Sequence, residues 1–131
     1  RTTFSALVRE HATSAIDVSD GLVADVAHLA SASQVKIIIR RSAIPLSPAA
    51  RQIIGDNHDQ AIHIWGAGDD YELAFTASRN WHMGKQLPEF SNVPITAIGE
   101  VYVADGNTGD VILVDDNENA IDIGNIGFRH F

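Results

Sequence analysis

The feature that most constrains this chain is a helical segment enclosed by two short strand-like segments. Between Leu22 and Ser33 the apolar residues recur every three or four positions, which is the spacing of a helix with one buried face. Residues 14–18 precede it, and residues 35–39, which are rich in the β-branched side chains that favour strands, follow it. This order of strand, helix and strand predicts a layered fold in which the helix packs on a sheet. The same spacing places three polar residues on the solvent side of the helix: Asp25, His28 and Ser31.

The rest of the chain continues the alternation of helices and strands. The pattern predicts further helices over residues 4–10, 48–54 and 80–87, and leaves residues 58–65 open between helix and extended chain. It predicts further strands over residues 71–76, 95–103 and 111–114. The turn residues at 105–109 favour pairing of the last two strands as a hairpin. We therefore expect a single α+β domain over residues 1–131, an α/β sandwich whose mixed sheet is flanked by helices.

Composition narrows the possible partners. The chain has 17 acidic and 9 basic residues, a formal net charge of −8, and no run of Lys or Arg that would form a basic patch. Such a surface repels nucleic acid, and it repels a free nucleotide unless metal cations intervene. The absence of cysteine excludes disulfides and thiolate chemistry. No apolar run is long enough to span a membrane, so we expect a cytoplasmic protein with neither nucleic-acid nor membrane partners.

The first acidic segment, residues 17–21, lies where a predicted strand meets a predicted helix, and we refer to it as the acidic turn. Asp17 and Ser19 project to the same side of the strand, because side-chain direction repeats every second residue. Asp20 follows, so two carboxylates and a hydroxyl lie near a helix N-terminus. Hard oxygen ligands suit Mg²⁺, and a helix N-terminus suits a phosphate. The alternative is structural: Ser19 or Asp20 caps the helix, and Asp17 is an exposed acid at the strand end.

A second segment, residues 66–72, has the sequence Gly-Ala-Gly-Asp-Asp-Tyr-Glu. Its glycines permit a tight turn, and its three acids repel one another unless cations or hydrogen-bond donors lie nearby. The spacing does not match the Rossmann or P-loop fingerprints, and no lysine follows to hold a phosphate. A solvated loop whose glycines serve only the turn is the alternative interpretation.

Other polar and aromatic residues carry weaker signals. No pair of histidines has the spacing of a zinc-binding motif, so we interpret His58 and His63 as surface residues. Residues 115–119 are acidic enough to suggest a calcium loop, but they lack its glycine and its final glutamate, which favours a solvated turn. We interpret Trp65 and Trp81 as partly buried packing residues.

Four motifs occur in order along nearly the whole chain. They are Asp-Val-Ser-Asp-Gly-Leu at residues 17–22, Gly-Ala-Gly-Asp-Asp-Tyr-Glu-Leu at 66–73, Ile-Gly-Glu-Val at 98–101 and Gly-Phe-Arg-His-Phe at 127–131. In this combination they resemble the thiamine-monophosphate kinases, which share an ATP-using superfamily with aminoimidazole ribonucleotide synthetase and selenophosphate synthetase. Two positions depart from the family pattern: Ala67 replaces a glycine, and Asp69 is shorter than the commoner glutamate.

The resemblance implies a fold, a reaction and a set of roles. The fold is like that of the C-terminal domain of aminoimidazole ribonucleotide synthetase. The reaction is direct in-line transfer of the γ-phosphoryl group of ATP to thiamine monophosphate, which forms thiamine diphosphate without a covalent nucleophile. Asp17 and Asp20 match magnesium ligands, and Ser19 matches a nucleotide contact. Asp69 and Phe128 match contacts to thiamine monophosphate.

The resemblance also implies that residues 1–131 are the C-terminal domain of a two-domain kinase whose N-terminal domain is absent from this chain. In the family that domain holds most of the magnesium-binding aspartates and forms the main dimer contact. We therefore expect the full-length protein to be a homodimer and the isolated chain to be inactive. Two alternatives stay open: another ATP-using synthetase of the superfamily, or a free-standing, non-catalytic domain that binds nucleotides or proteins.

Overall fold

The computed structural model describes residues 2–54, 72–81, 94–104, 106 and 109–122. The helices are α1 (Thr2–His11), α2 (Leu22–Ser33) and α3 (Pro48–Ile54), with a short 3-10 turn at Arg41–Ala43. The strands are β1 (Ala12–Val18), β2 (Val35–Arg40), β3 (Glu72–Ala77), β4 (Gly99–Val103) and β5 (Val111–Val114). No helix in these ranges is both long and apolar enough to cross a membrane.

Most of the predicted elements occur, with different ends. β1 begins at Ala12, before the predicted start, and β4 begins at Gly99 rather than at residue 95. The helix predicted over residues 80–87 does not include Asn80 and Trp81, which follow β3 in a turn and an irregular segment. The remainder of that prediction, at 82–87, lies outside the described residues, and so does the open segment 58–65.

The strands form two sheets. β1 and β3 pair antiparallel, with Val18 opposite Glu72 at one end and a register shift between Ala12 and Ser14 at the other. β2 is the middle strand of the second sheet, antiparallel to β4 on one side and parallel to β5 on the other. The presence of both pairings confirms the predicted mixed sheet and the α+β class.

The predicted hairpin of β4 and β5 is wrong, because β2 lies between these two strands. Ile37 and Ile39 of β2 are 5% and 1% exposed, so burial of this strand contributes strongly to the sheet. A strand buried in this way needs partners for the backbone groups on both of its edges. Beyond the turn, Gly109 donates its N–H to the carbonyl of Val35 at 3.2 Å, which begins the pairing of β5 with β2.

One helix joins the two sheets. α2 contacts β1 of the first sheet and both β2 and β5 of the second. Its buried face and these strands form one core cluster: Val23, Val26, Leu29, Ala30, Ile37, Ile39, Ile44 and Leu113. Burial of each large aliphatic side chain stabilises the fold by about 1.5–3 kcal/mol. The packing of α2 therefore determines where the chain must turn after β1.

The solvent side predicted for α2 is correct at two of its three positions. His28 and Ser31 are exposed, as expected. Asp25 is only 4% exposed, so the prediction for this residue is wrong. Helical spacing assigns a side by polarity alone, whereas the Asp25 carboxylate is buried because it accepts hydrogen bonds from the acidic turn.

The outer face of the first sheet carries aromatic residues. Ala74 packs against the core cluster, so the adjacent Phe75 lies on the opposite face of β3. Phe75 packs edge-on against Trp81, with 5.6 Å between ring centroids, and Trp81 stacks on His11 at 5.9 Å. The packing role predicted for Trp81 is confirmed. Three other residues interpreted from sequence lie outside the described residues: His58, His63 and Trp65.

Candidate functional site

The acidic turn lies between the end of β1 and the start of α2, as predicted. Val18 is 3% exposed and anchors the strand end in the interior. Asp17 and Ser19 are exposed, and Asp20 is half-buried. The hydroxyl of Ser19 donates to Oδ1 of Asp20 over a distance of 3.5 Å. The side chains predicted to contact metal and nucleotide therefore occupy one short turn at the edge of the core.

The structure agrees with one part of the structural alternative for the acidic turn, because Asp17 is an exposed acid at the strand end, but the N-cap position is occupied by neither Ser19 nor Asp20. The N-cap of α2 is Gly21, which has no side chain with which to make a capping hydrogen bond. Gly21 has φ 121° and ψ 145°, a conformation that residues with a Cβ rarely adopt. Ser19 and Asp20 lie before this N-cap position.

A third acid, which helical spacing had placed in solvent, organises the turn. Oδ2 of Asp25 accepts the backbone N–H groups of Ser19 at 2.8 Å and Asp20 at 2.9 Å. Asp25 donates its own N–H to the carbonyl of Gly21 at 3.0 Å, within the first turn of α2. The sequence signal that could have revealed this role is the position of Asp25 in the first turn of α2. This position is close to that of the acid in a capping box, and that acid also accepts a backbone N–H at the start of the helix.

The acidic turn is negatively charged, and the N-terminus of α2 adds a partial positive charge beside it. Asp17 and Asp20 supply two carboxylates, which is the number Mg²⁺ commonly takes from a protein when phosphate and water oxygens complete its shell. In the part of the chain that the structure describes, no group of three or more His, Asp or Glu side chains is arranged to hold a metal ion. The magnesium roles of Asp17 and Asp20, and the nucleotide contact of Ser19, stay predictions.

Antiparallel pairing brings the second predicted motif next to the first. β3 begins at Glu72, the last residue of the segment 66–72, and Glu72 pairs with Val18. The next pair along the ladder is Leu73 with Asp17. Two motifs that are far apart in the sequence therefore meet where β1 ends and β3 begins.

Two predicted site residues lie outside the described residues: Asp69 and Phe128. The same is true of most of the segment 66–72 and of the motif at 127–131. The predicted contacts of Asp69 and Phe128 with thiamine monophosphate stay predictions. What the structure adds is the place where the second motif ends, beside the acidic turn.

The acidic run at residues 115–119 forms a turn that is closed by its own side chain. Oδ1 of Asp115 accepts the N–H groups of Asn117 at 2.9 Å and Asn119 at 2.8 Å. The bond from the Asn119 N–H is the main reason why the pKa of the Asp115 carboxyl lies below its usual value. The carboxylate is used within the turn, which fits the predicted solvated turn rather than a calcium loop.

Relatives match the sequence over most of its length, although no family model matches it. The chain is 33% identical over 111 residues to the thiamine-monophosphate kinase of Caulobacter vibrioides, a match that covers 81% of this chain and 31% of that protein. It is 34% identical over 128 residues to the thiamine-monophosphate kinase of Buchnera aphidicola subsp. Acyrthosiphon pisum, covering 95% of this chain and 37% of that protein. The chain thus spans about a third of the length of these relatives.

Solved structures give the same result. The crystal structure of thiamine-monophosphate kinase from Stenotrophomonas maltophilia K279a matches with a TM-score of 0.71 and 36% identity, over 90% of this chain and 35% of that chain. AaThiL in complex with AMPPCP and TMP matches with a TM-score of 0.71 and 28% identity, over 100% of this chain and 38% of that chain. The fold is thus that of a class of kinases. The chain belongs to the thiamine-monophosphate kinase family and corresponds to the C-terminal part of these proteins.

Proposed function

We propose that this chain supplies the C-terminal domain of an ATP-dependent kinase that converts thiamine monophosphate to thiamine diphosphate. The observation that carries the proposal is the pairing of Val18 with Glu72, which joins the acidic turn to the end of the second motif. The relatives reported above are thiamine-monophosphate kinases, and AaThiL was solved with AMPPCP and TMP. These relatives favour this reaction over that of another ATP-using synthetase and over a non-catalytic domain.

In the proposed site, Asp17 and Asp20 hold Mg²⁺, and the hydroxyl of Ser19 contacts the nucleotide. Bound magnesium neutralises and aligns the phosphate oxygens of two anionic reactants. Gly21 has no side chain, so a phosphate can approach the main chain at the N-terminus of α2. The net charge of −8 makes a cation necessary, because the protein otherwise repels an anionic nucleotide. These residues bind and orient the reactants and form no covalent bond with the phosphoryl group.

The rest of the proposed site lies beyond the described residues. Asp69 and Phe128 contact thiamine monophosphate, and an N-terminal domain supplies the remaining magnesium ligands. The chain matches 31% of the Caulobacter protein, so the unmatched length of that relative is sufficient for such a domain. We expect this chain to be inactive by itself and the complete enzyme to be a homodimer.

The test measures thiamine diphosphate formed by the full-length gene product from thiamine monophosphate and Mg-ATP. Asp20→Asn removes the charge of a proposed magnesium ligand, and we expect kcat to fall by about 100-fold, as when one electrostatic contact to a transition state is lost. Because Asp20 lies in a turn at the edge of the core, the Tm of the Asp20→Asn variant should differ little from that of the wild type.

Asp116→Asn is the matched control. Asp116 is an exposed acid whose Oδ2 lies 3.7 Å from a guanidinium nitrogen of Arg41, and its replacement removes one negative charge without changing a residue of the acidic turn. We expect kcat of this variant to stay within about twofold of the wild type. Equal turnover by Asp20→Asn and Asp116→Asn would exclude Asp20 from the site. Failure of the wild type to form thiamine diphosphate would refute the proposed function.

A further inference from the structure

We infer that Asp25 is a positioning residue for the acidic turn. Its buried carboxylate holds the main chain of Ser19 and Asp20 in the conformation that presents their side chains to magnesium and nucleotide. In this role Asp25 acts through the backbone of the turn, whose N–H groups its carboxylate accepts, rather than as a ligand. The catalytic meaning of this role rests on the proposed function, whereas the geometry behind it does not.

One carboxylate oxygen holds two consecutive peptide groups. Oδ2 of Asp25 lies 2.8 Å from the backbone nitrogen of Ser19 and 2.9 Å from that of Asp20. Both distances are typical of hydrogen bonds to a charged acceptor, which are stronger than bonds between neutral groups. Two successive N–H groups converge on one oxygen only in a narrow range of backbone conformations. The contact therefore sets the direction in which the Asp20 side chain leaves the main chain.

The burial of Asp25 indicates that its two hydrogen bonds with the acidic turn are required for the folded conformation. Asp25 is 4% exposed and is the one buried polar or charged residue within the described ranges. Transfer of a carboxylate out of water is unfavourable unless hydrogen bonds compensate for the lost hydration. An exposed acid in the first turn of α2 would interact favourably with the helix dipole without that penalty. The two bonds from the turn account for the buried position.

The N-cap residue of α2 cannot hold the acidic turn, and Asp25 does so instead. A short polar residue at the N-cap usually bonds the N–H groups of the helix that follows. Here the N-cap is Gly21, and the carboxylate of Asp25 reaches in the opposite direction, from the helix to residues before the cap. The backbone N–H groups of Ser19 and Asp20 are satisfied in this way, while Ser19 Oγ and Asp20 Oδ1 lie 3.5 Å apart at the turn.

The charge of Asp25 adds to its geometric role. A buried carboxylate is screened weakly by water and salt, so its field favours a cation at the turn and disfavours a free anion. Asp25→Asn keeps a carbonyl oxygen that can accept both N–H groups but removes the charge, whereas Asp25→Ala removes both. These two variants separate the effect of position from the effect of charge.

The first experiment measures turnover of the full-length gene product against Mg²⁺ concentration, at saturating ATP and thiamine monophosphate. We expect Asp25→Ala to raise the Mg²⁺ concentration for half-maximal turnover by about tenfold or more, the effect typical of residues that orient metal ligands. Asp25→Asn should raise it less, because the hydrogen-bond acceptor remains.

Leu29→Ala is the matched control for a loss of stability. Leu29 is a buried residue of the same helix, 6% exposed, and its apolar side chain cannot accept the N–H groups of the acidic turn. Its replacement should lower Tm and leave the Mg²⁺ dependence unchanged. The same Mg²⁺ dependence for Asp25→Ala and Leu29→Ala would overturn the inference.

A second measurement does not depend on activity. Hydrogen exchange at residues 19 and 20 should be slow in the wild type, because both N–H groups bond a buried acceptor. Rapid exchange there would overturn the inference even if the kinase is active, and this result applies even if Asp25→Ala does not fold. Slow exchange in a wild type that forms no thiamine diphosphate would instead support the role of Asp25 in the turn and refute the proposed function.

Discussion

Replacement of Gly21 by alanine tests how firmly the acidic turn is held. Gly21 has φ 121° and ψ 145°, which a residue with a Cβ adopts only with strain of about 1–3 kcal/mol. Rotation of the turn would relieve the strain but would break the bonds from Ser19 and Asp20 to Asp25, each worth about 1.5–3 kcal/mol. Since the strained turn is the lower of the two in free energy, we expect Gly21→Ala to lower the free energy of unfolding by about 1–3 kcal/mol.

The assay is urea unfolding of the 131-residue chain, with the slope m compared between variants to establish that the unfolded state is unchanged. Gly106→Ala is the control, because Gly106 also has a positive φ, 105°, but is exposed, and an added Cβ would meet no atom of the described residues within 4 Å. An exposed turn can relax without breaking a buried contact, so we expect a smaller loss, about 1 kcal/mol or less. A loss of less than about 0.5 kcal/mol for Gly21→Ala would refute the reasoning that the turn is held in place.

Two further predictions concern other turns. Gln34 ends α2 in a left-handed conformation, φ 54° and ψ 47°, which glycine adopts without strain, so Gln34→Gly should raise the free energy of unfolding by up to about 1 kcal/mol. A fall in Tm on thermal unfolding would contradict this. The bonds from Asn119 and Asn117 lower the pKa of Asp115 from 3.8, so this carboxylate stabilises the fold above that pH and stops doing so as the pH falls through its lowered value. The stability advantage of the wild type over Asp115→Ala should therefore shrink in acid, and an advantage that grows on acidification would show that the carboxylate is not stabilising.

Sequence periodicity was sufficient to predict the elements that are long or strongly apolar. It predicted α2 and β2 close to their observed bounds, Leu22–Ser33 and Val35–Arg40. Such patterns arise because one face of each element is buried, so apolar residues recur at regular spacing within a short stretch of sequence. It did not predict which strands pair. The turn at 105–109 favoured β4 with β5, but the burial of β2 placed that strand between them.

For the acidic turn, too, the local sequence predicted the location but not the contact that holds the turn. The residue types predicted that Asp17, Ser19 and Asp20 lie where a strand meets a helix, and the structure confirms that location. The contact that holds the turn was not predicted, because Asp25 is polar and was assigned to solvent. A carboxylate with two backbone donors is stable inside the protein, and its donors become evident only when the turn is built.

The sequence by itself determined the order and type of the main elements, the negative charge, and the motifs that resemble thiamine-monophosphate kinases. These features depend on the spacing and chemistry of neighbouring residues. Only the tertiary structure decided that β2 is central, that Glu72 lies opposite Val18, and that Asp25 is buried and bonded to the acidic turn. Strand pairing depends on burial between distant residues, and the place of a polar side chain depends on whether hydrogen bonds in the interior replace those with water, so neither follows from a local pattern.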